Sequence, residues 1–184
     1  MDLKTPLREE EIRGLKVGDI VYLSGTLVTA RDKAHRRIVS SCKDIPIDMR
    51  DLAVYHCGPI AKRENDEWKI LSAGPTTSYR LEGIEADFIK CTGVRMIIGK
   101  GGMGARTSKA CKDYGAVYCS FTGGASLVAA KSIAKVKDVF WLDMGMPEAV
   151  WIFEVKRFGP LIVSIDSEGN NLYEDIKRRA KIQG

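Results

Sequence analysis

Short runs of β-branched and apolar residues, bounded by glycine, proline or polar turns, recur along this chain and predict strands. The predicted strands span residues 17–29, 52–60, 68–73, 95–98, 116–121, 150–158 and 161–165. Gly25, inside the first of them, predicts a β-bulge. Between several strands the apolar positions change to helical spacing. The predicted helices span residues 7–14, 30–42, 79–91, 105–114, 127–136 and 171–182.

The order of these elements indicates the class of fold. Strands alternate with helices in the middle of the chain, but residues 64–67 form a polar hairpin tip that joins two strands directly. Gly159 and Pro160 also separate two strands without a helix, and residues 122–126 predict a tight turn. We therefore expect an α/β fold with a mixed sheet and flanking helices, in a single domain that covers residues 1–184.

Composition and charge narrow the classes of function. With 45% hydrophobic and 29% charged residues, the chain has the composition of an ordinary soluble globular protein. The net charge of +5 comes from basic residues that are spread along the chain, which argues against nucleic-acid binding. No apolar run reaches the roughly 18 residues of a membrane span, so we expect no membrane association and a cytoplasmic protein.

The cysteines bear on metal binding and on redox compartment. They are Cys42, Cys57, Cys91, Cys111 and Cys119, an odd number without a CxxC pair. This spacing argues against a disulfide framework and against a metal site held by this chain alone. Five reduced thiols in a cytoplasmic protein are the expected state.

Two polar turns delimit the most informative stretch, residues 74–104. The first presents the hydroxyls of Thr76 and Thr77 and the guanidinium of Arg80, and the second, GKGGMG, carries Lys100. A predicted helix and strand lie between them, and open α/β folds place ligand sites at such element ends. Two cations and two hydroxyls near backbone N–H groups suit a small dianion such as a dicarboxylate. All four side chains are therefore candidates for substrate binding.

Other ligands and sites remain open from these residues. The GKGGMG turn lacks the lysine followed by serine or threonine that closes a phosphate loop, and its spacing differs from the dinucleotide fingerprint. A non-catalytic phosphate- or nucleotide-binding module is thus the disfavoured alternative. A strand-to-helix junction carrying Arg31 and His35 could hold an anion with help from the helix N-terminus. The alternative is a surface helix with i,i+4 charge pairs, which is the preferred interpretation for Arg36 and Arg37.

Five motifs, in order along nearly the whole chain, resemble those of one known family. They are SGTLVTARDKAHRR at residues 24–37, HCGPI at 56–60, GPTTSYR at 74–80, GKGGM at 99–103 and DMGMPEAVW at 143–151. The chain is similar to the C-terminal domain of class I fumarate hydratases, which in many prokaryotes is a separate β subunit. The L(+)-tartrate dehydratase β subunit belongs to the same family.

This resemblance implies a swivelling β/β/α domain and a hydro-lyase that is active only with a partner α subunit. The partner is expected to hold a 4Fe-4S cluster, with no metal on this chain, in a higher hetero-oligomer. The implied reaction is the reversible hydration of fumarate to (S)-malate. The alternative within the family is the conversion of L(+)-tartrate to oxaloacetate. A non-catalytic subunit that only covers the partner's cluster is a further alternative.

The resemblance also implies roles for single residues. Arg31 of the TARD motif and Arg80 of GPTTSYR match contacts to the substrate carboxylates, and Lys100 matches a further contact with a catalytic role. Thr76, the first threonine of GPTT, matches the proposed base. His35 matches a histidine that some members are expected to use near the site. The presence of Arg31, Thr76, Arg80 and Lys100 together argues for an active subunit.

Overall fold

The computed structural model of the chain describes residues 1–122 and 126–182. The strands are β1 (Asp2–Lys4), β2 (Ile20–Thr29), β3 (Ala53–Tyr55), β4 (Ile60–Glu64), β5 (Glu67–Ser72), β6 (Met96–Gly99), β7 (Val117–Phe121), β8 (Ile133–Phe140) and β9 (Val150–Ile165). The helices are α1 (Glu9–Gly14), α2 (Asp32–Ser41), α3 (Glu85–Thr92), α4 (Ala105–Tyr114), α5 (Ser126–Ser132) and α6 (Leu172–Ile182). Short 3₁₀ turns occur at Ser78–Leu81 and Leu142–Met144. None of the described helices is long and apolar enough to cross a membrane.

Four parallel strands form the centre of the main sheet. β2, β3, β6 and β7 are neighbours in that order, and Thr29, Tyr55, Ile98 and Cys119 lie level with one another across them. Parallel neighbours require crossover connections, and α2 and α4 supply two of these. The carboxyl ends of the four strands therefore meet at one edge, where α/β folds place their ligand sites.

The long strand β9 closes this part of the sheet into a ring. It pairs antiparallel with β2, with β7 and with the edge strand β8. Because β2 and β7 flank the parallel set, β2, β3, β6, β7 and β9 form a small barrel-like closed sheet. The sequence predicted two strands here, but β9 continues through Gly159, whose φ of 147° lies in the left-handed region.

β3, β6 and the carboxyl end of β2 are buried on both faces. Leu27 and Tyr55 pack into one hydrophobic cluster, whereas their neighbours Val28 and Val54 pack into a second cluster with residues of α2, α3 and α4. This two-sided burial explains why β3 and β6 are apolar runs, whereas the first part of β2 alternates between buried and partly exposed positions. The predicted α/β class, with a mixed sheet and flanking helices, is confirmed.

Two predicted helices differ from the structure. The helix expected at residues 127–136 ends at Ser132, because the following residues form β8 and pair with β9. Tertiary pairing outweighs local helical spacing there. The helix expected at residues 79–91 is a 3₁₀ turn, Ser78–Leu81, followed by α3. The turn predicted at residues 122–126 includes residues 123–125, which lie outside the described part of the chain.

The expectation of five reduced cysteines is wrong for one pair. Cys42 at the end of α2 and Cys91 near the end of α3 are joined as a disulfide. The two helices lie side by side in the helical layer, and the two Cα atoms are 5.2 Å apart, within the range that a disulfide spans. A sequence separation of 49 residues gave no sign of this proximity.

Candidate active site

The predicted site residues lie at the carboxyl ends of the parallel strands. Arg31 follows β2, and Lys100 follows β6 directly. The backbone N–H of Thr76 donates to the carbonyl of His56, just after β3, at 2.7 Å. Thr77, whose side chain is exposed, forms a parallel bridge with Lys100. The fold thus brings the TARD, GPTT and GKGG motifs to one edge of the sheet.

Arg80 connects the GPTT turn with the start of α2. Its Nη2 donates to Thr76 Oγ1 and to Asp32 Oδ2, each at 3.0 Å, and its Nε donates to Asp32 Oδ1 at 3.4 Å. The hydrogen bond from Arg80 holds the pKa of the Asp32 carboxyl below its usual range, so Asp32 is ionised at neutral pH. The hydroxyl oxygen of Thr76 therefore accepts a charged hydrogen bond, which favours its deprotonated form.

Arg31 is held by a second carboxylate. Its Nε lies 3.4 Å from Glu148 Oε1, and Glu148 Oε2 accepts the backbone N–H of Lys33 in the first turn of α2 at 2.9 Å. The Arg31 guanidinium also passes over Gly58. A Cβ at that glycine would lie 2.5 Å from Arg31 Nη1 and 2.7 Å from the carbonyl oxygen of Pro147. Gly58 thus leaves the space that the guanidinium occupies.

Lys100 differs from the two arginines in its ionic partners. Its backbone N–H donates to Ser78 Oγ at 3.2 Å, and its carbonyl accepts the N–H of Ser78 at 3.1 Å, which fixes the start of the glycine-rich turn. Its side chain is half-buried. Within residues 1–122 and 126–182, no carboxylate forms an ion pair with its ammonium group. Of the three predicted site cations, Lys100 is thus the one without a carboxylate partner among the described residues.

A cluster of three buried polar side chains lies under this edge. His35, His56 and Glu85 have no exposed surface. Glu85 Oε2 lies 3.2 Å from His56 Nε2 and 3.5 Å from His35 Nε2. The structure therefore places His35 in the interior, stacked on Phe88 at a centroid distance of 4.0 Å. This position favours a supporting role for His35 over direct contact with a substrate.

Gly99 makes room for the contacts between two strand ends. A Cβ there would overlap Ser78 Oγ and lie 3.1 Å from His56 Nδ1. We expect Gly99→Ala to lower the free energy of unfolding by about 1–3 kcal/mol, the usual cost of overpacking. The matched control is Gly14→Ala, since a Cβ at Gly14 meets no atom within 4 Å. Denaturant unfolding of both variants measures the difference, and equal stabilities would contradict the predicted clash.

The N-terminus of α4, next to the glycine-rich turn, already holds an internal anion. Glu82 Oε2 accepts the N–H of Gly104 at 2.7 Å and the hydroxyl of Thr107 at 2.6 Å, and Glu82 Oε1 accepts the N–H of Arg106 at 3.0 Å. These N–H groups are the ones that a phosphate would use at a helix N-terminus. The arrangement therefore disfavours the phosphate- or nucleotide-binding alternative.

The remaining cysteines do not resemble a cluster site. Cys57, Cys111 and Cys119 are free and buried, and burial raises the pKa of each thiol. Iron–sulfur clusters bind thiolates, which this burial disfavours. The other two cysteines are joined to each other. Within the described ranges, the cysteines of this chain therefore do not fit the ligand set of a 4Fe-4S cluster.

Comparison with known proteins identifies the family. A family model described as Fumarase C-terminus matches residues 1–176. The chain belongs to this family. The L(+)-tartrate dehydratase subunit beta of Escherichia coli (strain K12) is 45% identical over 176 residues, which cover 96% of this chain and 88% of that protein. The putative L(+)-tartrate dehydratase subunit beta of Methanocaldococcus jannaschii is 47% identical over 177 residues, 94% of this chain and 91% of that protein.

A third member of the family is much longer than this chain. The putative fumarate hydratase class I of Geobacillus stearothermophilus is 44% identical over 177 residues, which cover 96% of this chain but 34% of that protein. The fumarase C-terminus unit thus occurs as a part of a larger chain as well as in proteins of about this size. The family resemblance predicted from the five motifs is confirmed.

Sequence reasoning missed the acidic and histidine partners of the site. Asp32 and Glu148, which hold the two arginines, lie inside the TARD and DMGMPEAVW motifs, so an acidic residue within each motif was the available signal. His56 lies in HCGPI, inside the strand predicted at residues 52–60, whereas the observed strand ends at Tyr55. Nothing in the sequence distinguished Glu82 or Glu85 from surface glutamates at the start of a helix.

Proposed function

We propose that this chain is the β subunit of an iron–sulfur hydro-lyase that reversibly hydrates fumarate to (S)-malate. The observation that carries the proposal is the convergence of Arg31, Arg80 and Lys100 with the Thr76 hydroxyl at one edge of the sheet. A but-2-enedioate has a carboxylate at each end, and each needs cationic donors. The relatives, which include dehydratase β subunits and a hydratase, support a hydro-lyase subunit.

In this proposal the substrate carboxylates bind by partner exchange. Asp32 holds Arg80 through hydrogen bonds and Glu148 attracts Arg31 as an ion pair, so a substrate carboxylate takes over cations that internal carboxylates hold in its absence. Lys100 needs no such exchange, because the described residues give it no carboxylate partner. Thr77 is an exposed residue whose backbone bridges to Lys100, and its hydroxyl is proposed as a further donor to the same carboxylate.

Thr76 is proposed to move the proton. Hydration adds water to one carbon of the double bond and a proton to its neighbour, and the reverse reaction removes that proton. The negative charge that develops on the adjacent carboxylate is stabilised by the guanidinium or ammonium groups of this chain. A threonine hydroxyl has a high pKa and needs activation. The charged hydrogen bond from Arg80 Nη2 to Thr76 Oγ1 supports this assignment, because it stabilises the alkoxide.

The 4Fe-4S cluster belongs to a partner α subunit in this proposal. The cysteines described in this chain do not suit it, and the relatives' names as beta subunits support such a partner. When bound in the partner, the cluster supplies a Lewis acid for the hydroxyl group that is lost or gained. A cytoplasmic hetero-oligomer of higher order is part of the same proposal.

The dehydration of L(+)-tartrate to oxaloacetate is the second candidate reaction. It is favoured by the names of the Escherichia coli and Methanocaldococcus jannaschii relatives, which match most of this chain. Tartrate is also a four-carbon dicarboxylate, so the same cations would anchor it. The two reactions differ in one hydroxyl group of the substrate, which the proposed partner would contact.

Co-expression with the α subunit tests the proposal. The complex would be prepared anaerobically and assayed with fumarate, (S)-malate and L(+)-tartrate. We expect kcat/KM for fumarate or malate to exceed that for tartrate by at least about tenfold, a difference of about 1.4 kcal/mol in transition-state stabilisation. The reverse order would assign the tartrate reaction instead. Absence of activity on all three, in a complex that carries the cluster, would contradict the proposed function.

A second test uses the chain without its partner. We expect the isolated chain, purified anaerobically, to contain only substoichiometric iron and acid-labile sulfide and to lack hydratase activity. The reason is that its buried thiols are held in the protonated form. The complex with the α subunit, prepared in the same way, is the control. Near-stoichiometric iron and sulfide on the isolated chain would show that the cluster is not the partner's alone.

A further inference from the structure

This chain contains two histidines, His35 and His56. The carboxylate of Glu85 lies between their rings. Glu85 Oε2 is 3.2 Å from His56 Nε2 and 3.5 Å from His35 Nε2, and all three side chains are fully buried. Neither contact meets the geometry of a hydrogen bond, so these distances are those of charge attraction. A buried carboxylate without a cation would take up a proton, so an ionised Glu85 needs a positive charge at this place.

The remaining ring nitrogens indicate where that charge lies. His35 Nδ1 is 2.9 Å from the carbonyl oxygen of Arg31, which can only accept, so Nδ1 carries a proton. A neutral His35 would then turn the lone pair of Nε2 toward the Glu85 carboxylate. An imidazolium avoids this repulsion and supplies the missing cation. Burial lowers the pKa of His56, which favours the neutral form of that ring.

The Glu85 carboxyl is consistent with this charge distribution. Burial alone would raise its pKa, but the adjacent histidines outweigh burial and hold the pKa below its ordinary value. Glu85 is also the first residue of α3, where the helix dipole favours a negative charge. The carboxylate is thus an anion that a neighbouring imidazolium must balance.

His35 connects this ion pair to the substrate-binding arginine. Both its ring Nδ1 and its backbone N–H donate to the carbonyl oxygen of Arg31, at 2.9 and 2.8 Å. Arg31 immediately precedes α2 and carries one of the proposed carboxylate anchors. A shift of the His35 ring would therefore move the backbone from which that anchor extends.

His56 connects the same carboxylate to the proposed base and to Lys100. Its carbonyl accepts the N–H of Thr76 at 2.7 Å. Its Nδ1 lies 2.9 Å from Ser78 Oγ, which also accepts the backbone N–H of Lys100 at 3.2 Å. Through the two histidines, the chain segments of Arg31, Thr76 and Lys100 are all connected to the buried carboxylate of Glu85.

We propose that Glu85 is a positioning residue of the substrate site, which holds His35 as an imidazolium beside a neutral His56. The pair keeps the strand ends that carry the substrate-binding cations and the proposed base at a fixed spacing. This inference rests on the proposed function and deepens it. Glu85 itself does not touch the substrate, since it has no exposed surface.

The other titratable groups near the cluster do not supply the positive charge. They are Asp32 on α2, Cys111 on α4 and Tyr118 on β7. Burial raises the pKa of both the thiol and the phenol, so both are neutral, and Asp32 is an anion paired with Arg80. In the described ranges, no lysine or arginine forms an ion pair with Glu85. A metal ion is the other cation that the three ligand atoms, all within 4.8 Å of one another, could hold.

Nuclear magnetic resonance of the full chain labelled with ¹⁵N-histidine tests the charge directly, because the spectrum contains only two imidazoles. At neutral pH we expect two protonated nitrogens on His35 and one on His56. In Glu85→Gln, His35 should lose one of its protons, whereas Glu85→Asp, which keeps the charge, should retain both. The matched control is Asp166→Asn, another buried carboxylate, which accepts backbone N–H groups of Glu168 and Asn170.

Two spectroscopic outcomes would overturn the proposal. One is a wild-type chain in which both histidines are neutral, which would place the proton elsewhere. The other is a stoichiometric metal ion, found by elemental analysis together with histidine nitrogen signals of the coordinated kind. Both are measured on the wild-type chain, so they decide the question even where Glu85→Gln fails to fold.

Kinetics of the complex with the α subunit test the positioning role. We expect Glu85→Gln to lower kcat/KM for the dicarboxylate by at least about tenfold, since small displacements of substrate-holding groups are costly. Glu85→Asp should recover part of this loss, and Asp166→Asn should match the wild type. Unchanged kcat/KM in Glu85→Gln would overturn the positioning role. A wild-type complex without dicarboxylate activity would instead contradict the proposed function, and the positioning role with it, while the spectra would still decide the charge on His35.

Discussion

Thr76→Val is expected to lower kcat of the complex with its α subunit by about a hundredfold or more, with little change in KM. Valine keeps the shape of threonine and removes only the hydroxyl, whose oxygen lies 3.0 Å from Arg80 Nη2. If this oxygen takes the proton, its loss affects the chemical step alone. If it only donates a hydrogen bond to a carboxylate, the loss would appear in KM and amount to about 1 kcal/mol.

Two further variants separate these roles. Thr76→Ser keeps a hydroxyl in nearly the same place and should retain most of the activity. Lys100→Met, combined with Thr76→Val, should give a loss smaller than the sum of the single losses if the ammonium group stabilises the alkoxide. Independent contacts would give additive losses. Exchange of the malate C3 proton with solvent reports directly on the base, because the base removes this proton. A wild-type exchange rate in Thr76→Val would rule out Thr76 as the base.

Arg31→Met and Arg80→Met are each expected to reduce kcat/KM by at least about tenfold. A hydrogen bond to a charged group contributes about 1.5–3 kcal/mol, which corresponds to one to two decades. The contacts of the two arginines predict different effects on kcat and KM. Arg80 also donates to Thr76 Oγ1, so its loss should lower kcat as well as raise KM. Arg31 contacts Glu148 and not the threonine, and its loss should appear mainly in KM.

Two controls accompany the Arg31→Met and Arg80→Met variants. Arg8→Met removes an exposed arginine that pairs with Glu11 on α1, and it should leave the kinetics unchanged. Removing Arg80 also leaves Asp32 without its partner, so Asp32→Asn in the Arg80→Met background shows how much of the loss comes from the unpaired carboxylate. Wild-type kinetics for both Arg31→Met and Arg80→Met would remove the two anchors from the proposed site.

Local signals in the sequence predicted many elements well. α4 has the predicted bounds, and Gly115 ends it in the left-handed conformation that glycine favours. The tip of the β4–β5 hairpin was also predictable, since Asn65 and Asp66 suit its positive φ angles, but the strand predicted at residues 52–60 is divided between β3 and the start of β4 in another sheet. The closure of the ring was not predictable. It depends on pairing between β2 and β9, which are far apart in sequence.

The site shows the same limit. The motifs indicated which cations and hydroxyls to consider, because their residue types suit a dianion. They did not indicate how those charges are balanced, since Arg80 pairs with Asp32 and Arg31 with Glu148 across 48 and more than 100 positions of sequence. Whether a glutamate such as Glu85 lies on the surface or beneath a site is decided by tertiary packing, on which local periodicity carries no information.

The closed ring of β2, β3, β6, β7 and β9 has a mechanical consequence for a site built on its strand ends. In an open sheet, a strand at the edge can fray and let its loops separate, but each strand of a ring is bonded on both sides. Arg31, His56 and Lys100 therefore extend from a frame that resists spreading. If the proposed hydro-lyase is assembled with an α subunit, the half-site on this chain would therefore keep its shape when the partner binds.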